Sequence, residues 1–155
     1  MTRAAALPVA LLLLAAVGAM GQRDPGAVFE CGMTHYREGE LAQARARFLQ
    51  AADVFDRAAG ADDQQQLYQL YSLSWAGLAA QELGDADAAV ADYEAALGLA
   101  EKLENSDKIS RLTASIGMVA FEAGRLERAE EAFLRSRDLN RRFRRWEFLL
   151  HDLEN

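Results

Sequence analysis

The chain has 155 residues, of which 51% are hydrophobic, with two prolines, one cysteine and a formal net charge of −7. This composition is typical of one helical globular domain, and it excludes a disordered chain or a small domain held together by disulfides. The acidic balance also argues against nucleic acid as a partner, because an acidic surface repels phosphates.

Residues 1–19, MTRAAALPVALLLLAAVGA, predict a secretory signal peptide. Arg3 precedes a long apolar stretch that ends in small residues, and we expect cleavage after Ala19, with Gly21 as an acceptable second site. The alternative is an uncleaved membrane anchor, since about 20 apolar residues span a bilayer. We therefore expect an exported protein, periplasmic or extracellular, with its folded domain over residues 20–155. The single Cys31 is expected to be a buried, inert thiol.

Three segments of the remaining chain repeat one pattern, as in LGDADAAVADYEAA at residues 83–96 and AGRLERAEEAFLRS at residues 123–136. A glycine recurs in each segment, at Gly39, Gly84 and Gly124, and seven residues before it stands another, at Gly32, Gly77 and Gly117. An alanine and then an aromatic residue follow in phase, namely Ala44 and Phe48, Ala89 and Tyr93, and Ala129 and Phe133. Each segment therefore predicts one helix–turn–helix unit, and three stacked units bury one continuous core.

Helices are predicted over residues 26–38, 41–58, 64–83, 86–104, 107–123 and 126–138, with a last helix over residues 141–153. The second glycine of each unit lies where an apolar helix stops, so we expect it to cap that helix in a left-handed conformation. The first glycine lies inside a helix, where it costs roughly 1 kcal/mol relative to alanine. We expect it to allow close approach of the next helix through the small Ala44, Ala89 or Ala129.

The pattern resembles the tetratricopeptide repeat over residues 25–141. It departs from that family in two positions and in its period. The usual tryptophan is replaced by Val28, Leu73 and Thr113, and the closing proline by Asp56, Glu101 and Arg141. The glycine spacings of 45 and 40 residues exceed the usual period, which is about 34 residues. The resemblance implies an all-α, right-handed α-α superhelix with repeats at about 25–58, 64–104 and 107–138, closed by a capping helix at 141–153.

The resemblance also implies that a partner binds in the concave groove lined by the first helix of each unit. The residues placed there are Phe29, Met33, Tyr36, Tyr71, Trp75, Leu78, Arg111, Met118 and Phe121. Aromatic residues and methionine on such a face anchor partners, so we expect another protein to bind through an apolar or aromatic segment, as a helix or an extended peptide. A clamp for a C-terminal carboxylate is disfavoured, because Arg111 is the only basic residue at the matching positions. The alternative is that several of these side chains belong to the core.

The sequence shows no catalytic constellation, and we expect no enzyme activity, no cofactor and no metal. His35 and His151 are far apart in the sequence and lack the paired ligands of a metal site. We expect His35 to pack between helices.

Six arginines lie close together near the end of the sequence: Arg135, Arg137, Arg141, Arg142, Arg144 and Arg145. We expect a solvated face, partly paired with acidic residues, and the alternative is a contact with anionic lipid headgroups or an acidic partner. The predicted function is an adaptor or assembly factor of the cell envelope. The alternatives are a self-associating repeat protein and a scaffold at the membrane surface.

Overall fold

The computed structural model describes residues 24–57 and 62–154, with side chains as far as Phe143. The predicted signal peptide lies outside these residues. Six helices occupy the described chain: α1 Pro25–Arg37, α2 Leu41–Arg57, α3 Asp63–Glu82, α4 Ala86–Lys102, α5 Ser106–Glu122 and α6 Leu126–Glu154. None of these described helices combines the length and the apolar character needed to cross a membrane.

Short polar residues start four of the helices by accepting a hydrogen bond from a backbone N–H of the first turn. These residues are Asp24, Asp62, Asp85 and Asn105. Each satisfies a donor that the helix itself leaves without a partner. Because such caps are short-range signals, the first five helices begin and end within two residues of the predicted positions.

The second glycine of each unit ends the first helix as predicted. Gly39, Gly84 and Gly124 have φ of 77°, 77° and 72°, in the left-handed region. The next residue then bonds back to the last turn, as Asp85 N does to Ala80 O at 3.0 Å. Glu104 takes the same conformation between α4 and α5, with φ of 51°. Glycine enters this region without a steric penalty, whereas glutamate does not.

The first glycine of each unit makes room for an aromatic ring, whose atoms lie nearer to it than those of the predicted alanine. A Cβ added to Gly32 would lie 2.8 Å from the Phe48 ring, and one added to Gly77 would lie 2.7 Å from the Tyr93 ring. The alanines, by contrast, are buried in the core on their own account, with Ala44 and Ala89 fully covered. The ring packs against the helix backbone at the glycine, where no side chain intervenes, which explains why three glycines recur in phase.

The helices stack as an all-α solenoid, which confirms the predicted fold class. Helices α1, α3 and α5, here called the A helices, are joined by contacts such as the ring contact between Tyr36 and Trp75. Helices α2, α4 and α6, here called the B helices, are joined by ion pairs. Arg45 of α2 bonds the buried Asp92 of α4 through Nε and Oδ2 at 2.8 Å.

Arg125, just before α6, and two arginines of α6 form a row of ion pairs with α4 on the B side of the solenoid. The pairs are Arg125 with Asp87, Arg128 with Glu94 and Arg135 with Glu101, at 2.7, 2.7 and 2.9 Å. The acidic partners recur every seven residues along α4, and two helical turns bring the same helix face back into position. This row aligns the second and third repeats.

The predicted break before a separate capping helix is wrong, because α6 is continuous from Leu126 to Glu154. Its sequence contains no glycine or proline, the residues that stop helices. Asn140, at the predicted break, is held against α5, where its Oδ1 accepts from Ser110 Oγ at 2.7 Å. Within the described chain, no later helix therefore folds back over the last repeat.

Candidate functional site

The predicted groove residues lie along the A helices, but most of them also contribute to the core. Phe29, Met33, Tyr36 and Trp75 pack against the cluster around Phe48. Tyr71 and Leu78 pack against the central core cluster. The remaining three, Arg111, Met118 and Phe121, are exposed. The groove floor is thus packed onto the core, and its aromatic residues are half-buried.

Trp75 occupies the middle of this surface. Its ring lies 5.3 Å from Tyr36, edge to face, and 5.9 Å from Phe48, measured between ring centroids. Two hollows flank the A helices, and Trp75 lines both of them. A rigid aromatic ring between two hollows is suited to receive an apolar side chain.

The first hollow, here called the acidic hollow, lies between α1 and α3 and has a volume of about 580 Å³. Its aromatic walls are Phe29, Phe55, Tyr68, Tyr71 and Trp75, and Asp24 and Glu30 stand at its rim. The Phe55 and Tyr68 rings stack with their centroids 5.6 Å apart. Aromatic faces beside carboxylates favour a cation or an apolar group that carries one.

The second hollow, here called the basic hollow, lies between α3 and α5 and has a volume of about 250 Å³. Lys108 and Arg111 line it together with Trp75 and Leu78. Lys108 Nζ lies 4.6 Å from the centroid of the Tyr71 ring, a cation–π contact. Lys108 thus adds a second basic group to the groove, outside the positions that match the carboxylate clamp.

Two tyrosines near the groove hold their protons more tightly than usual. Burial, followed by the hydrogen bond that its hydroxyl donates to Glu82, raises the pKa of Tyr36 to about 12. Burial also raises the pKa of Tyr93 to about 12, and its hydroxyl donates to Gln81 Oε1 at 3.2 Å. Both hydroxyls stay protonated at neutral pH and act as hydrogen-bond donors that tie the groove walls together.

The side chain of His35 is 25% exposed, and the packing role predicted for it stays a prediction. Its Nδ1 lies 2.6 Å from Glu40 Oε2, across the turn that ends α1. Glu38 lies nearby. One ring nitrogen of His35 and one carboxylate oxygen each of Glu38 and Glu40 lie within 4.8 Å of one another. Glu38 and Glu40 are exposed and His35 is half-buried, and we assign no metal to these three groups. The side chain of His151 lies beyond the described ones.

The arginine cluster is divided among different surroundings. Arg135 bonds Glu101 of α4, and Arg137 lies 3.0 Å from its neighbour Asp138. Arg141 and Arg142 are exposed, and the side chains of Arg144 and Arg145 lie outside those described. Part of the cluster thus aligns the repeats, while the rest faces solvent.

The sequence pattern did not indicate three residues that line the two hollows: Phe55, Tyr68 and Lys108. Tyr68 and Lys108 occupy the same register, nine residues before Gly77 and Gly117. Extending the groove positions by one more helical turn toward the start of α3 and α5 would have found both. Phe55 comes from a B helix and gave no such signal.

Comparison with known proteins agrees with this geometry. A family model described as tetratricopeptide repeat matches residues 68–142, from the start of α3 into α6. A search of curated protein sequences gave no match to the chain. The first hairpin repeats the glycine–aromatic packing of the matched ones. The chain is a tetratricopeptide repeat protein, and its general role is protein–protein interaction.

Proposed function

We propose that this protein is an adaptor or assembly factor of the cell envelope that binds a segment of another protein across its A helices. The observation that carries this proposal is the position of Trp75, which lines both the acidic hollow and the basic hollow. An aromatic anchor at the centre of a surface with polar rims is the usual arrangement of a binding hot spot.

The charges of the two hollows specify the chemistry of the partner segment. Asp24 and Glu30 at one side favour a basic residue, while Lys108 and Arg111 at the other favour an acidic one. An apolar or aromatic residue between them would lie against Trp75. We therefore propose a segment whose charge changes from basic to acidic along its length, bound in one direction, because the reverse direction would bring like charges together.

The location in the envelope rests on the amino-acid pattern of residues 1–19. Cleavage after Ala19 would leave Met20 as the first residue of the exported protein. Intact mass of the protein recovered from an expressing cell tests this directly. A mass that includes residues 1–19 would replace the exported adaptor by a membrane-anchored one.

Affinity capture from the envelope fraction of the source cell tests the groove. The groove variant carries Lys108→Glu and Arg111→Glu. The control variant carries Arg57→Glu and Lys102→Glu, which change the net charge equally on the B helices. Arg57 matches Arg111 closely, since their side chains are 76% and 73% exposed and each pairs with an aspartate one turn earlier.

We expect the wild type and the control variant to capture the same partner and the groove variant to lose it. Circular dichroism of both variants verifies that the helix content is unchanged. Equal capture by the groove variant would contradict the proposal, since a partner lying across Trp75 must approach Lys108 and Arg111.

A further inference from the structure

The same position of the repeat is covered in the first two units and open in the third. Phe48 is 0% exposed and Tyr93 is 4% exposed, whereas Phe133 is 38% exposed. Phe48 is in ring contact with Trp75 of the next A helix, and Tyr93 belongs to the same buried core cluster as Leu112 and Ile116 of α5. Because α6 continues straight, the described chain supplies no helix to cover Phe133.

The α5–α6 end of the solenoid therefore exposes an apolar patch. This patch is here called the end face. Phe121, Leu126, Phe133 and Leu134 are all exposed there. They surround a hollow of about 470 Å³ that is also lined by Glu130 and Arg137. Four exposed large apolar side chains together are unusual for a surface in contact only with water.

The charges at the end face are arranged so that two copies of the face are complementary to each other. Glu130 lies three residues before Phe133, and Arg137 lies three residues after Leu134. If a second α6 lies antiparallel to the first with a two-fold axis between Phe133 and Leu134, each Glu130 is opposite Arg137 of the other copy. A two-fold interface requires this reciprocity of contacts.

We propose that the end face is the interface of a two-fold symmetric dimer of this chain. In this dimer Phe133 and Leu134 of both copies are buried, and two ion pairs form, each between Glu130 of one copy and Arg137 of the other. Arg137 is free to change partner, because its contact with the adjacent Asp138 is an exposed one. This inference goes beyond the binding groove, since Trp75 and both hollows remain open and the dimer carries two grooves.

Two charge reversals test the pairing, measured by sedimentation equilibrium on the protein in the form that cells produce from the full chain. Glu130→Arg places two arginines at each contact, and Arg137→Glu places two glutamates there. Each variant should weaken dimerisation at least tenfold relative to the wild type. An equimolar mixture of the two variants should dimerise again, because every contact between the two different chains then joins one arginine to one glutamate.

The double variant that carries both reversals should also recover the wild-type dimer. Arg57→Glu, on α2, is the control and should leave the dimer unchanged. A wild-type chain that stays monomeric at about 100 µM would overturn the proposal, as would a mixture that stays monomeric. Assemblies that grow beyond two copies would overturn it too, since a two-fold contact closes at the dimer.

Discussion

Replacing Gly77 by alanine tests the packing that unites the three repeats. The new Cβ would lie 2.7 Å from Tyr93 Cδ1 and 2.8 Å from Cε1, and Tyr93 is buried by its neighbours and cannot move away. Overpacking of this kind lowers the free energy of unfolding by about 1–3 kcal/mol. The change from glycine to alanine inside a helix by itself raises it by about 1 kcal/mol. The net is a fall of about 0–2 kcal/mol in the free energy of unfolding. We expect the upper half of that range, about 1–2 kcal/mol, because two ring atoms clash.

Gly98→Ala is the matched control, because Gly98 is also inside a helix but has no atom within 4 Å of the added Cβ. That substitution should raise the free energy of unfolding by about 1 kcal/mol. Urea denaturation followed by circular dichroism measures both variants. If Gly77→Ala is as stable as Gly98→Ala, the ring does not require the glycine and the reasoning is refuted.

Three further predictions concern stability. Glu104→Gly should raise the free energy of unfolding by about 1 kcal/mol in urea denaturation, because Glu104 has φ of 51°, a conformation that costs non-glycine residues about 1–2 kcal/mol. Asp92→Ala should lower it by about 2–3 kcal/mol, measured in the same way, because it leaves the partly buried Arg45 without its partner. The pKa of Tyr36 and of Tyr93 is raised to about 12 in the folded protein. The stability that this shift contributes is complete below pH 10 and is lost as the pH rises from 10 to about 12. Denaturation at a series of pH values measures the loss, and absorbance at 295 nm follows the ionisation of the tyrosines.

Each of these predictions has its own control. Glu104→Ala keeps a Cβ and should gain little. Arg57→Ala breaks an exposed pair with Asp53 and should change stability by less than about 0.5 kcal/mol, so an equally small effect of Asp92→Ala would show that the buried pair is unimportant. Tyr93→Phe should reduce the alkaline loss, and an unchanged pH profile would contradict the assignment.

The helix boundaries were predictable because their signals are local. Glycine at the left-handed cap and aspartate or asparagine at the helix start act within one turn of the residue that carries them. The repeat of these signals at Gly39, Gly84 and Gly124 was enough to predict the hairpins and their stacking. The family model and the helix order confirm the fold class.

The contacts between helices were harder to predict, because spacing in sequence does not say which side chain meets a glycine. Gly32 and Phe48 are in phase in the sequence, and so are Gly32 and Ala44, but the atoms nearest to Gly32 are those of the Phe48 ring. The extent of α6 was also missed. An apolar stripe in residues 141–153 predicts a helix there, but it does not distinguish a separate helix from the continuation of the preceding one.

The groove itself was predicted in part. The register of the A helices indicated Trp75 and its neighbours, whose role in binding stays a prediction, and their contribution to the core depends on contacts with Phe48 that no local pattern encodes. The charges at the two ends of the groove come from residues on different helices, such as Glu30 and Lys108. Their opposition across Trp75 becomes visible only when the three hairpins are stacked.

The central claim is that a partner binds across Trp75. The chain has two tryptophans, Trp75 and Trp146, so NMR of the indole N–H groups yields two resonances, which Trp146→Phe assigns. When the captured partner is added to labelled protein, the Trp75 resonance should shift and the Trp146 resonance should stay. A shift of Trp146 alone would place the binding surface on α6 and contradict the groove.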